Sequence, residues 1–400
     1  MRPEIDILHS IKITVHIRMR ILYLHIGFHK TGSSSLQLAM KEQVQALDQA
    51  GFEFLSLGKK GNSSGCIDVC KEKGRVHFQV NSRLDELLAA SRNEQVIVSA
   101  EHLSYLYQRD SIELIQRVCS KYFDKIVVIV YLRRQDLQAI SFKKQGARGA
   151  ASNRSSSSKL LGHAEGAFPS FSKDIEIYYD YFNKLILWAD VFGADSLRVR
   201  LFSREALHGG DIVSDFLALL GGGVELSARR VNEGVGRKEF LLTHKLLELG
   251  VAESELIKLK PMMLEDDTQL LPSRRDAKQF FMRFKNSNHL LNNTFLNNDS
   301  GLAFDTDFSG YPEQGNDWIT VRDLSEWIPE ILSAGIQKPE GLRDALLADK
   351  LQQMVRKKFS GEVLTQELED LANCLSASAY IAKDQQPWYR ALKKKKTSGR

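Results

Sequence analysis

Cysteine is scarce, with four in 400 residues: Cys66, Cys70, Cys119 and Cys374. So few thiols, so far apart, give no disulfide framework. Cys66-x-x-x-Cys70 with His77 nearby lacks the ligand spacing of a zinc site and has no second pair, so no metal is expected. The cysteines read as reduced thiols of a cytoplasmic protein. Long apolar runs are missing as well. The first twenty residues, MRPEIDILHSIKITVHIRMR, interleave charges with apolar side chains, and this excludes the apolar stretch of a signal peptide or a membrane span there. Nor does one sign of charge dominate: 55 basic residues against 50 acidic leave a formal net charge of +5. That balance does not call for nucleic acid, but it suits an anionic small ligand. With 43% hydrophobic residues there is enough for a sizeable core, in one large or two medium domains.

What the chain does have is a phosphate cradle. Leu22–Leu36 (LYLHIGFHKTGSSSL) runs from an apolar strand through a glycine turn into a hydroxyl-rich helix start. Gly27 and Gly32 have the spacing of the nucleotide-binding pattern G-x-x-x-x-G-K-[ST], but Ser33, Ser34 and Ser35 follow where the lysine is expected. The lysine lies inside the loop instead, at Lys30. Backbone N–H groups, a helix N-terminus and one cation remain to hold an anion. The lysine that reaches the β- and γ-phosphates of a triphosphate does not. A second segment, Lys125–Leu132 (KIVVIVYL), is a nearly unbroken β-branched run of the kind buried on both faces of a parallel sheet. It ends in Arg133-Arg134, and Ser141 follows eight residues after Arg133, about two turns into the next helix.

Together these motifs resemble the sulfotransferases that use 3′-phosphoadenosine 5′-phosphosulfate (PAPS). Lys30-Thr31-Gly32-Ser33-Ser34 matches their 5′-phosphosulfate loop position by position. The resemblance implies that Lys30, Thr31, Gly32, Ser33 and Ser34 hold the donor's 5′ end; Ser35 continues the loop as a further candidate, and His29, beside Lys30, is a candidate contact to the sulfuryl group or acceptor. It also implies that Arg133 and Ser141 bind its 3′-phosphate. Gln135 stands where many members have proline. Asn232–Lys238 is weakly similar to the Arg-Lys-Gly segment some members use for the 3′-phosphate, which makes Arg237 and Lys238 further candidates, although Glu239 replaces the glycine. Members of the secretory pathway carry an N-terminal anchor. Without one here, the expectation is a soluble, cytoplasmic, bacterial enzyme.

Strand and helix signals alternate through the first 235 residues. Strands are expected at Ile21–Ile26, Phe52–Leu55, Gln95–Ser99, Lys125–Leu132 and Leu197–Leu201. Helices are expected over Ser33–Gln49, Val80–Ser91, Ile112–Tyr122, Ile175–Phe192 and Asp211–Leu220, and Gly58–Gly74 reads as a surface loop. This pattern predicts a three-layer α/β fold on a parallel sheet, with the ligand at the strands' carboxyl ends. The resemblance implies the P-loop-like sulfotransferase topology. Gly146–Pro169 reads as a mobile loop that suits an acceptor flap, with Arg148 or Arg154 meeting an acidic substrate. Beyond it, amphipathic stretches at Lys238–Leu249, Asp276–Phe284, Leu324–Leu332, Leu342–Phe359 and Leu364–Leu375 predict a helical region. The chain thus divides into an extension (1–20), a PAPS-binding core (21–235) and a mainly helical part (236–400) that packs on or caps it.

Sulfuryl transfer needs a base for the acceptor hydroxyl and a cation for the charge developing at sulfur and the bridging oxygen. Lys30 is the cation. For the base, the strand at Gln95–Ser99 leads into Ala100-Glu101-His102-Leu103 at the same rim. His102-Leu103 is similar to the base of the cytosolic branch, and Glu101 to that of the carbohydrate-acting branches, so the two compete. His25 reads as a core residue of its strand. The expected reaction moves a sulfuryl group from PAPS to a hydroxyl, with a carbohydrate or glycolipid favoured as acceptor and no metal required. A P-loop nucleotide or small-molecule kinase is the alternative, and it would need a lysine after Gly32 and an acidic magnesium ligand. A non-catalytic nucleotide-binding protein of the same fold is a third reading.

Overall fold

The apolar runs at Ile21, Gln95 and Lys125 have no polar face to turn to water, so they come together in the middle of one sheet. The computed structural model describes residues 19–148, 156–227, 235–248, 268–320, 322–323 and 326–327. Its strands are β1 (Ile21–His25), β2 (Phe52–Leu55), β3 (Ile67–Glu72), β4 (Arg75–Val80), β5 (Gln95–Ser99), β6 (Lys125–Leu132) and β7 (Leu197–Leu201). Five of them form a sheet in the order β2-β5-β1-β6-β7, and every pairing is parallel. The register sets His25 opposite Ser99 on one side and Ile129 on the other.

Alternation along the strands divides the core between the two faces. Leu22, Leu24, Val96, Val98, Val128 and Val130 face one cluster, completed by Ile112, Ile115, Phe142, Leu185 and Trp188. Tyr23, Ile97, Val127, Ile129 and Tyr131 face the other, with Leu36, Met40, Leu47, Ile212 and Phe216. The helices behind these side chains are α1 (Ser33–Glu42), α2 (Val44–Gln49), α3 (Arg83–Ala89), α4 (Arg109–Ser120), α5 (Gln135–Arg148), α6 (Ser156–Leu161), α7 (Lys173–Tyr179), α8 (Tyr181–Phe192), α9 (Ile212–Leu219) and α10 (Arg237–Glu248). Two more follow at Arg274–Met282 and Lys285–Leu291. The fold is the expected three-layer α/β sheet with a helical part after it. Strand order turns about β1, which has β5 on one side and β6 on the other. A crevice at the carboxyl ends of these three strands is the ligand position such sheets provide.

Four expectations need correction. The Gly58–Gly74 stretch is no plain loop: β3 and β4 form an antiparallel hairpin across Lys73-Gly74, and β4 ends on Val80, the residue expected to begin the next helix. The helix expected over Ser33–Gln49 breaks at Gln43. The helix expected over Ile175–Phe192 breaks at Asp180, whose carboxylate accepts from the Asn183 N–H and caps α8. The segment after α6 is strapped down, not loose. The Lys143 Nζ donates to the carbonyls of Ala164, Gly166 and Phe168 at 2.6, 2.5 and 2.8 Å. The side chains of Arg148 and Arg154, most of the extension, Cys374 and the stretches expected at Leu342–Phe359 and Leu364–Leu375 lie outside the described residues, as does most of Leu324–Leu332.

Candidate active site

The loop between β1 and α1 is shaped by two glycines and one strained lysine. Gly32 caps α1 at φ 81°, and a Cβ there would fall 2.9 Å from a Phe202 ring carbon and 3.0 Å from Ile212. Both the backbone angle and the close wall therefore require glycine. Gly27, at φ 102°, lets the Glu101 backbone close to within 3.2 Å of where a Cβ would stand. Lys30 adopts φ 65°, a left-handed conformation that costs a residue with a side chain on the order of 1–3 kcal/mol and is found where a site over-determines its backbone.

The hydroxyls next to it hold the loop closed. Thr31 Oγ1 donates to the Phe28 carbonyl at 2.6 Å, and Ser33 Oγ shares that acceptor at 3.3 Å. Thr31 is fully buried, so it shapes the loop from behind. Ser34 is exposed, with Ser35 half-buried beside it in the first turn of α1. The first N–H groups of a helix have no intrahelical acceptors, so this turn offers donors to an anion.

Arg133 leaves the end of β6 and reaches the loop directly, its Nη1 donating to the Lys30 carbonyl at 3.4 Å. It is half-buried, and its guanidinium carbon lies 6.0 Å from the Phe202 ring centroid. Burial lowers its pKa from the ordinary arginine value. Arg134 goes elsewhere. It is buried in a bidentate pair with Asp136 and also donates to Asp305 and the Asp307 carbonyl. Neither arginine is a solvated strand end. Ser141 lies half-buried on α5, and the helix is fixed in rotation by Gln138, whose amide donates to the His29 carbonyl at 2.9 Å.

Glu101 and His102 lie in a 3-10 turn after β5 and not on the strand, so the alternation of a strand does not separate them. Glu101 is drawn to the loop. Asn62 Nδ2 donates to its Oε1 at 3.4 Å, and the Ser33 hydroxyl lies near the carboxylate. Burial pushes its pKa up, while Lys30 nearby, the Asn62 amide and the Ser33 hydroxyl pull the other way. His102 packs among rings, with centroids 5.5 Å from His29 and 5.3 Å from Tyr105. Burial takes its pKa down to about 4, so the imidazole stays neutral at physiological pH.

His29 is not at the loop surface. It is buried, stacked on Phe142 at 4.6 Å, and its Nδ1 meets the Tyr178 hydroxyl at 2.9 Å. Burial, then the neighbouring His102, Lys184 and Lys30, hold it neutral. It serves as a ring beneath the loop. His25 is a buried strand residue, as expected, with its Nδ1 2.8 Å from Ser99 Oγ. Arg237 is not brought to the loop: it forms a bidentate pair with Asp323 and donates to the carbonyls of Asn316 and Trp318. Lys238 is buried beside it.

Two members of this neighbourhood carried no readable signal. Asn62 comes from the segment taken as loop, with no local pattern to mark it. Lys144 lies on α5 one turn after Ser141, and no motif marks it.

No protein-family model matches the chain. An uncharacterized protein from Archaeoglobus fulgidus is 24% identical over 177 residues, covering 39% of this chain and 45% of that protein. The match thus spans less than half of that relative's length. Among solved structures, a sulfotransferase from Alicyclobacillus acidocaldarius aligns with 69% of this chain and 96% of its own, at 15% identity and a TM-score of 0.38. Among the described residues no helix is long and apolar enough to cross a membrane.

Proposed function

We propose that the chain is a PAPS-dependent sulfotransferase that moves a sulfuryl group to an acceptor hydroxyl, with a carbohydrate or glycolipid as the acceptor class. One observation carries the reading. Arg133, from the end of β6, meets the Lys30 carbonyl, so the two motifs with phosphate chemistry lie side by side although 103 residues separate them. Glu101 joins them from the end of β5, beside Lys30 and Ser33. Loop N–H groups, a lysine, an arginine and a serine fit a ligand with anions at both ends.

The donor, when bound, supplies the sulfuryl group and leaves as the 3′,5′-bisphosphate. Lys30 and the first N–H groups of α1 are placed to meet negative charge on the 5′ side. Arg133 and Ser141 fit the 3′-phosphate. Glu101 is the base in this reading, taking the acceptor proton on its carboxylate as the acceptor oxygen bonds to sulfur. His102, neutral among aromatic rings, is assigned a packing role. The lean toward carbohydrate rests on the choice of Glu101.

Calorimetric titration with 3′-phosphoadenosine 5′-phosphate, beside ATP with magnesium, tests the reading. Micromolar or tighter binding of the bisphosphate, with ATP far weaker, is the expected result. A preference for ATP would replace the reading with a phosphotransferase.

A further inference from the structure

We propose that Lys144, one turn beyond Ser141 on α5, is a third ligand of the donor's 3′-phosphate and fills the place that Arg237 and Lys238 were expected to take. The inference rests on the sulfotransferase reading of the site and adds a residue to it.

Geometry leads there first. Residues three apart on a helix are surface neighbours, so Ser141 and Lys144 lie side by side. The Gln138 bond to the His29 carbonyl and the packing of Phe142 on the His29 ring fix the rotation of α5 against the loop. Both Ser141 and Lys144 are half-buried. Arg133 stands at the head of the same helix, two positions before its first residue.

Charge points the same way. Among the described residues no carboxylate lies within ion-pair distance of Arg133 or of Lys144. The contrast with Arg134 is direct, since that neighbour is neutralised by Asp136 and Asp305. The Lys144 ammonium is held below its ordinary range by burial and then by repulsion from the Arg133 charge. Two partly desolvated like charges oppose folding unless an anion joins them. A phosphomonoester dianion balances the pair and accepts from the Ser141 hydroxyl.

Arg237, the alternative, is already engaged. Its guanidinium is paired with Asp323 and lies 5.1 Å over the Trp327 ring. Drawing it to a phosphate would break that pair and leave Asp323 behind.

The test is calorimetric titration of wild type, Lys144→Gln and Lys144→Arg with 3′-phosphoadenosine 5′-phosphate and with adenosine 5′-phosphate, which lacks the 3′ group. Circular dichroism melting confirms that each variant is folded. Loss of a charge-assisted hydrogen bond predicts a ten- to hundredfold weaker affinity of Lys144→Gln for the bisphosphate, on the order of 1.5–3 kcal/mol. Adenosine 5′-phosphate should bind unchanged, and Lys144→Arg should recover most of the loss. Bisphosphate affinity within twofold of wild type in Lys144→Gln would overturn the assignment, as would equal losses for both nucleotides. Absence of bisphosphate binding in wild type would instead remove the sulfotransferase reading and the assignment with it.

Discussion

Lys30 and Arg133 touch through one hydrogen bond, yet they carry separable tasks in the proposed reaction. Lys30→Ala is expected to lower turnover by several kcal/mol of transition-state stabilisation, on the scale of a lost oxyanion donor, roughly 3–4 kcal/mol. Its melting temperature should stay close to wild type, because the positive φ remains whichever side chain stands there. Arg133→Ala should act on binding, weakening 3′-phosphoadenosine 5′-phosphate by roughly 1.5–3 kcal/mol in a titration. Glu101 gives the sharpest contrast between stability and function. Its folded pKa is raised, chiefly by burial, so the native state holds the proton more tightly than the unfolded chain does. By linkage the carboxyl's contribution to stability is fully present below the ordinary carboxylate pKa and is lost as pH rises through the raised value. A base, however, must be ionised. Activity should therefore climb over the same pH window in which stability falls. Glu101→Gln should lower turnover by about 10²–10⁴-fold and raise the melting temperature at neutral pH, by about 2–4 °C for each kcal/mol recovered. An inactive variant that melts lower than wild type would contradict this account of the carboxylate.

At the scale of elements, helix ends decide how the chain turns over the sheet. Asp211 caps α9, its carboxylate accepting from the N–H groups of Val213 and Ser214 at 2.9 and 3.0 Å. α9 supplies Ile212, which walls the back of Gly32. Asp211→Ala should cost about 1 kcal/mol in denaturant unfolding, with the slope unchanged. A midpoint equal to that of wild type would mean that packing alone holds the helix start. The helix was legible in the sequence as an apolar run closed by three glycines, with Asp211 read as its first residue where the structure makes it the cap. The strands at Ile21, Gln95 and Lys125 were legible for a related reason, as short apolar runs with no polar period. The hairpin of β3 and β4 was not: Ile67 is buried, but most of the β3 residues after it face water inside a stretch rich in glycine and lysine. The break at Asp180 was hidden by the apolar run around it, and its other partner, Ser287, lies 107 residues away. In the site, the loop and Arg133 were readable from local order. The choice between Glu101 and His102 was not, because a 3-10 turn replaces the strand that would have pointed them apart. The burial of His29 depends on Phe142 and Tyr178, which no local pattern joins to it.

For the molecule as a whole, Arg134 ties the sheet to the segment after the helix Lys285–Leu291. It reaches Asp305 and the carbonyl of Asp307, while Tyr311 donates to Asp136 at 2.7 Å, so one buried carboxylate collects two distant parts of the chain. Phe281 and Phe308 cover the guanidinium from 6.0 and 4.6 Å. A contact this buried couples the helical part to the core, so the sheet and the helices Arg274–Met282 and Lys285–Leu291 should unfold in a single transition. Arg134→Met leaves Asp136 buried with only the Tyr311 hydroxyl as neutral company. Stranding such a charge costs on the order of 3–5 kcal/mol, read as a fall in melting temperature of roughly 10 °C. Pairing it with Asp136→Asn should recover part of that loss, because the stranded charge is what costs most. Bisphosphate affinity tells whether the effect reaches the site. Arg133 precedes Arg134 in the chain, and its carbonyl accepts from the Tyr181 hydroxyl at 2.9 Å, so its backbone has an anchor of its own. The single variant should therefore melt lower yet bind 3′-phosphoadenosine 5′-phosphate within about threefold of wild type below its transition, a change under 1 kcal/mol. Two separate unfolding transitions in the wild type would mean that the helical part is an independent unit, and Arg134 only its tether.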